Sequence, residues 1–296
     1  MITRVTQGTL LRDLRASIAR LQVQLAAGQE TVSTQKRLRE PSDDPAAVAR
    51  VNRLRGEASA LDALRDGVGF GVAALGAQDE ALGQADALLT RAREIATQQA
   101  SGLTTTTARQ QASEEVAELE RGLLALGNTS VAGRHVFGGL ASGAAPFASF
   151  DDPGFDPTAP YSGPAAPFAI RIGTDETLRV TTPGDQVFGG AVAALDDLRQ
   201  TLAAGNAPVA NLDAIDTASA TIGAERASVG ARLARLDGRS SEIAGALVGT
   251  RKLLGATEDA DLTQSIAELV QLQSALQATL AAASTLQTSI LDYLRP

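Results

Sequence analysis

The chain has no cysteine, no tryptophan and a single histidine, and aromatics make up only 3% of its residues. Each shortage excludes something. Without cysteine there is no disulfide, no thiolate metal ligand and no cysteine nucleophile. The lone histidine, His135, rules out a two-histidine metal site within one chain. No G-x-S-x-G-like turn accompanies it to suggest a Ser/His/Asp triad, so it reads as a boundary residue before Phe137. Lysine occurs only at Lys36 and Lys252. The formal net charge is −8 and the pI about 4.8. That balance argues against nucleic acid as a main partner, since phosphate binding needs a basic face. No uninterrupted apolar stretch approaches the length of a membrane span, so no membrane insertion is expected. Arg4, Arg12, Asp13, Arg15 and Arg20 interrupt any apolar core of a cleavable signal peptide. A chain with this start would leave the cytoplasm by a route that needs no cleavage.

What is present is alanine and leucine. Hydrophobic residues are 44% and charged residues 20% of 296 positions, enough for a substantial core and too apolar for wholesale disorder. Small residues and good helix formers suit close-packed helices. Leu11, Leu14, Ile18, Leu21 and Leu25 alternate steps of three and four, which keeps them on one helical stripe. A break follows over residues 36–45, where Pro41-Ser42-Asp43-Asp44-Pro45 predicts a structured turn. Pro41 biases Glu40 away from helical dihedrals. Asp44 can cap the next helix with Pro45 at its first position, where a missing N–H costs nothing. Helical periodicity then runs from Ala46 to about Ala100 through Val48, Val51, Leu54, Leu61, Leu64, Val68, Leu75, Leu82 and Leu89. Glycines at 67, 69, 71 and 76 weaken its middle or permit a close helix approach. Gly102 to Thr107 is the expected turn, and a third helix carries Val116, Leu119, Leu123 and Leu126.

Composition shifts at Gly133. From there to about Gly190 most of the prolines and phenylalanines collect, among them Phe147, Phe150, Phe155 and Phe168. Phe168, Ile170 and Ile172 alternate, as do Leu178 and Val180, which predicts a hairpin turning at Gly173 to Glu176. Helical spacing returns after residue 190, with Val229, Leu233, Leu236, Ile243 and Leu247. The last segment is the most regular. Asp261 and Gln264 have capping-box spacing, and Leu262, Ile266, Leu269, Leu272, Leu276, Leu280, Ala283, Leu286, Ile290 and Leu294 form a seam. The predicted order is three helices, a β insert and two helices. The economical arrangement pairs the two terminal seams and loops the insert out.

Other motifs have plain readings. Gly67-Val68-Gly69-Phe70-Gly71 lacks the strand and the Lys-Ser/Thr of a phosphate loop. Asp43-Asp44 and Asp151-Asp152 lack the ligand spacing of an EF-hand and suit turns and caps. Asn128-Thr129-Ser130 matches a glycosylation sequon, a pattern common by chance. No constellation for catalysis or a cofactor emerges, so a non-enzymatic structural subunit is expected. An α-helical enzyme or ligand-binding bundle would need a pocket with convergent polar groups.

Four segments resemble one family. They are the start Met1-Ile2-Thr3-Arg4-Val5-Thr6 with its Leu-rich helix, the turn from Lys36 through Pro41-Ser42-Asp43-Asp44-Pro45, the segment Gly133-Arg134-His135-Val136-Phe137-Gly138-Gly139, and the end Leu291-Asp292-Tyr293-Leu294. Together they resemble the flagellin superfamily in its hook-associated, junction-type branch. The resemblance implies a mainly α fold: a long helical rod or coiled-coil bundle formed by the N- and C-terminal segments, with a small β-rich inserted domain. It implies an inner-tube domain from residues 1–40 with 258–296, a central helical domain from 41–132 and 191–257, and an outer domain over 133–190. The implied role is an adaptor at the hook–filament junction, assembling through its terminal helices. The implied assembly surface is Leu11, Leu14, Ile18, Leu21, Leu25, Leu269, Leu272, Leu276, Leu280, Leu286, Ile290 and Leu294. Implied partners are copies of itself, the first hook-associated protein, flagellin, and an export chaperone holding the C-terminal helix. Implied localisation is extracellular, after export through the flagellar type III apparatus. The alternative within the superfamily is a short flagellin that forms the filament itself.

Overall fold

The structure, a computed structural model, describes residues 7–293 apart from Arg39, Pro41 and Thr174, with side chains from 12 to 285. Six α-helices carry it: α1 (Gln7–Thr34), α2 (Pro45–Gln99), α3 (Thr106–Gly127), α4 (Gly190–Ala203), α5 (Leu212–Glu258) and α6 (Leu262–Tyr293). Two short antiparallel ribbons lie between α3 and α4: β1 (Ser130–Val131) with β2 (Arg134–His135), and β3 (Ala169–Arg171) with β4 (Thr177–Arg179). The fold is mainly α with a small β-bearing insertion, in agreement with the sequence pattern. The chain divides into two compact units: residues up to Ser59 together with those from Val248, and Ala60–Leu247.

The larger unit has a continuous core built on heptads. On α2, Val68, Leu75, Leu82, Leu89 and Ala96 are buried at intervals of seven; on α5, so are Ile215, Ile222, Val229, Leu236 and Ile243. A strict seven-residue repeat keeps one seam facing its partner. Small residues fill the companion row of α2, at Gly71, Ala85 and Ala92. At Gly71 the fit is tight: a Cβ would stand 2.6 Å from Ile170 Cδ1 and 2.9 Å from Leu236 Cδ1. The glycine of the sequence that resembled a phosphate loop is thus a contact point between helix and hairpin. Ion pairs run antiparallel beside the seam, Arg226 Nε to Asp79 at 2.9 Å and Arg93 Nε to Asp216 at 2.6 Å.

The insertion is pinned to this core by polar side chains that occupy heptad rows. Gln78, fully buried on α2, donates to the carbonyls of Val136 (3.3 Å) and Val180 (2.6 Å). Arg232 on α5 pairs with Glu225 and reaches Thr182, and Arg239 donates to the Ile172 carbonyl. The hairpin pairs Ile170 with Leu178, and the Glu176 carbonyl closes its turn by accepting from Ile172 and Gly173 N–H. Phe137, Phe147 and Phe188 meet edge to face, with Phe188 4.8 Å from Phe137 and 5.9 Å from Phe147. His135 donates from Nδ1 to the Asn128 carbonyl at 2.7 Å. Asn128 and Phe147 exchange two hydrogen bonds, 2.9 and 3.0 Å, so the sequon amide is engaged inside the fold.

The expectation of two helices after the insert requires correction. There are three, because Gly205 in the left-handed region (φ 74°) and a 3-10 turn at Val209–Asn211 separate α4 from α5. Gly205 admits no side chain: a Cβ there would lie 2.3 Å from Thr106. Arg109 binds this end of the unit together, donating to the carbonyls of Gln99, Ser101 and Gly205.

Candidate assembly surface

The smaller unit is built differently. Its tertiary structure rests on an antiparallel α1–α6 pair joined to the ends of α2 and α5. Leu14, Ile18, Leu21 and Leu25 of α1 are half-buried on one stripe, and Leu269, Leu272 and Leu276 of α6 are half-buried opposite. At Gly28 the helices approach closely, since a Cβ would lie 3.3 Å from Leu269 Cδ1. Leu280 is exposed and lies off this stripe. Leu11, Leu286 and Ile290 lie in the helices but outside the described side chains, and Leu294 lies outside the described residues. No described side chain of α1 or α6 is fully buried. A lone helix pair cannot surround its seam, so the leucines retain water contact on their flanks.

The base of the pair is a clamp. Arg37 N–H donates to the Glu258 carbonyl at 2.8 Å, and Ala260 N–H to the Gln35 carbonyl at 3.0 Å, across a bridge of Lys36 with Asp259. Gln35 reverses the chain with a positive φ of 59°. The buried Glu258 carboxylate takes Arg55 at 2.7 Å and Lys36 at 3.4 Å. The hydrogen bond from Lys36 to Asp259, 2.6 Å, raises the ammonium pKa against the opposing effect of burial. Sequence reasoning missed this clamp. Its members are more than 200 positions apart, and no spacing rule connects them.

Of the turn residues, Pro41 lies outside the described residues. Asp43 and Glu40 exchange bonds, Asp43 N–H to the Glu40 carbonyl at 3.1 Å and Glu40 N–H to Asp43 Oδ2 at 2.9 Å. Ser42 Oγ donates to Glu40. Asp44 Oδ1 accepts from Ala46 and Ala47 N–H at 3.1 and 2.9 Å, and α2 starts at Pro45. At α6, Asp261 Oδ1 accepts from Thr263 and Gln264 N–H at 2.9 and 3.2 Å. The Gln264 side chain turns instead to Glu268 (2.8 Å), so the capping box is half-formed.

Among the described residues no group of three His, Cys, Asp or Glu could hold a metal ion, and no helix is long and apolar enough to cross a membrane. Lys36, Arg55, Glu258 and Asp259 pair with one another in the clamp.

The architecture is flagellin-like. Residues 9–142 match the family model of the bacterial flagellin N-terminal helical region. No curated protein sequence matches the chain. Among solved structures, a flagellar hook-associated protein of Vibrio parahaemolyticus is 19% identical with a TM-score of 0.63, covering 73% of this chain and 100% of its own. Bacillus cereus FlgL is 15% identical with a TM-score of 0.59, covering 69% and 99%. The flagellar junction protein FlgL of Legionella pneumophila is 14% identical with a TM-score of 0.54, covering 72% and 100%. At these identities the likeness defines the fold: the chain has the fold of the flagellar hook-associated proteins.

Proposed function

We propose that the chain is a structural subunit of the bacterial flagellum, the adaptor at the hook–filament junction on which filament growth starts. The observation that carries this reading is the coverage of the hook-associated structures from end to end, 99% and 100% of their chains, by a chain whose own terminal helices pair without being enclosed. The Pro-Ser-Asp-Asp-Pro turn and the Gly-Arg-His-Val-Phe-Gly-Gly segment favour this role over that of a short flagellin. The working residues are Leu14, Ile18, Leu21, Leu25, Leu269, Leu272, Leu276 and Leu280, with Leu11, Leu286, Ile290 and Leu294 continuing the seams. The turn at Pro41, Ser42, Asp43, Asp44 and Pro45 sets the start of α2.

Its partners are copies of itself, the first hook-associated protein and flagellin. A chaperone covers the C-terminal helix before export through the type III apparatus, since an uncovered leucine stripe invites premature association. Domains follow the same scheme, with residues 1–40 and 258–296 as the inner layer and 133–190 as the outer. A deletion strain tests the role. Loss of filaments with intact hooks, and flagellin released into the medium, is the expected result. Intact filaments of altered composition would assign the chain to the filament, and normal motility would contradict both.

A further inference from the structure

Residues 148–160 form a closed loop on the larger unit. Its base is fixed. Phe147 and Tyr161 pair in an antiparallel bridge, and Ala148 N–H donates to the Pro160 carbonyl at 3.1 Å. The Phe147 ring is wedged between Gly127 and Gly184, where a Cβ would stand 2.6 and 2.5 Å from it. The tip is held differently. Ser149 N–H donates to Asp152 Oδ2 at 3.0 Å and Asp152 N–H to the Ser149 carbonyl at 3.1 Å, bonds internal to the loop. Phe150 and Phe155 lie 5.4 Å apart, and both stay half-exposed. The tip reaches α3 and α4 through Phe150, whose ring centre is 4.7 Å from the Arg121 guanidinium and 5.7 Å from that of Arg199. Asp151 adds a bond from Arg121 Nε at 3.2 Å. A cleft of about 460 Å³ remains beside it, lined by Leu124 and Ala125 of α3 with Phe147 and Phe150.

The guanidinium that Phe150 covers also serves a buried acid pair. Glu120 is fully buried; its Oε2 accepts from Arg199 Nε at 3.2 Å, and its Oε1 has no partner. Asp196, also buried, takes a second nitrogen of Arg199 and accepts from Gln200 Nε2 at 2.7 Å. The charged groups that bear on Glu120 are Arg199 and Asp196 from α4 and Arg121 from its own helix. On α2, Arg91 pairs instead with Glu115, and on the turn before α4, Asp185 acts on Tyr161. Burial pushes the Glu120 carboxyl up to about 7; Arg199 opposes this and Asp196 adds to it. An unpartnered oxygen is tolerable on a neutral carboxyl and far more costly on a charged one. An ionised Glu120 therefore needs water or a second donor.

We infer that the 148–160 loop is a lid over the Glu120–Arg199–Asp196 group, seated while Glu120 carries a proton and lifted at its tip when Glu120 gives it up. The sign follows from linkage. Whatever keeps Glu120 dry favours its neutral form, so ionising Glu120 weakens the same cover by an equal factor. The folded chain holds this proton up to about 7 against an ordinary 4.5, so the seated lid is favoured below that range and lost as pH rises through about 7. The hinge is the Phe147–Tyr161 bridge, which stays closed because the Phe147 ring is locked between two glycines. Lifting the tip lets water in beside Arg199 and bares Phe150, Phe155 and the cleft along Leu124 and Ala125.

The chain has no tryptophan, so Phe150→Trp places a single reporter on the lid and keeps a ring for the two arginines. Acrylamide quenching of the purified full chain is followed from about pH 5 to about pH 9, with and without Glu120→Gln. Quenching at least threefold greater at the alkaline end is expected with Glu120 present, and a flat profile with Glu120→Gln. A flat profile in both chains, or the same rise in both, would overturn the inference. Limited chymotrypsin digestion of the chain without the tryptophan supplies a second readout, with rates normalised at each pH to an unstructured Phe-Asp peptide. Cleavage after Phe150 and Phe155 should be at least fivefold faster above the transition than below it, and independent of pH in Glu120→Gln. Equal cleavage on both sides of the transition would contradict the lid. So would cleavage after the buried Phe137 and Phe188 rising in step, because that reports unfolding of the whole unit.

Discussion

The two units solve the same packing problem with different completeness. In Ala60–Leu247 the heptad leucines of α2 are fully buried, on a helix that both α5 and the hairpin pack against at Gly71. In the smaller unit the α1 and α6 leucines meet one partner each and stay half-open. The residue types are alike, and the difference lies in how many elements surround the seam. Apolar burial scales with area removed from water, so a leucine in the larger unit contributes far more to the stability of a single chain. Comparable burial in the smaller unit would need further elements to cover the open sides. One unit encloses its seam within the chain and the other leaves its seam half-open.

This contrast can be broken by mutation. The largest effect is expected at Phe188, which is fully buried against Phe137 and Phe147. Phe188→Ala should cost about 3–5 kcal/mol in chemical unfolding of the isolated chain. Leu272→Ala, half-buried between two helices, should cost less than about 1 kcal/mol in the same assay while reducing assembly severalfold. Equal costs at the two positions would erase the distinction. Next comes Gly71→Leu, which forces a side chain into the space of Ile170 and Leu236; about 2–3 kcal/mol of destabilisation is expected by the same measurement.

Glu120 adds a pH dependence peculiar to the larger unit. It is fully buried on α3, where Arg199 Nε donates to one oxygen at 3.2 Å and the other oxygen has no partner. Arg199 also binds Asp196, so two acids share one cation, with Arg121 on the same helix and Phe150 beside both arginines. Burial raises the Glu120 pKa from 4.5 to about 7, against the opposing pull of Arg199. A raised pKa means that the folded chain holds the proton more tightly than the unfolded chain. Stability linked to Glu120 is therefore present below pH 4.5 and is lost as pH rises through about 7. The full swing is on the order of 3 kcal/mol. Glu120→Gln should flatten the melting temperature between those pH values, measured by calorimetry on both chains, and an unchanged slope would remove Glu120 from the account. The smallest effect belongs to the clamp. Arg55→Ala should cost below about 1 kcal/mol, and less in high salt, because Arg55 is exposed. A salt-independent loss of several times that size would mean that the clamp acts through packing.

Local signals in the sequence located most of the helices. The caps at Asp44 and Asp261, the hairpin across Gly173 to Glu176 and the heptads of α2 and α5 follow from spacing and residue type alone. The break between α4 and α5 was also written locally, in Gly205 and Pro208, but it sits where no apolar rhythm is interrupted and it passed unseen. The clamp of Lys36, Arg55 and Glu258 joins distant positions, and Leu280 parts from the α6 stripe that faces α1 only once the partner helix is in place. Periodicity reports that a face must be covered, and geometry is needed to say what covers it.

Amide hydrogen exchange on the full chain, free and in purified flagella, tests the central contrast most directly. In the free chain, α1 and α6 amides should exchange at least a hundredfold faster than those of α2 and α5 between Ala60 and Leu247, and in the assembled state they should slow to match them. Equal protection of the two units in the free chain, or terminal helices that stay fast after assembly, would contradict the account.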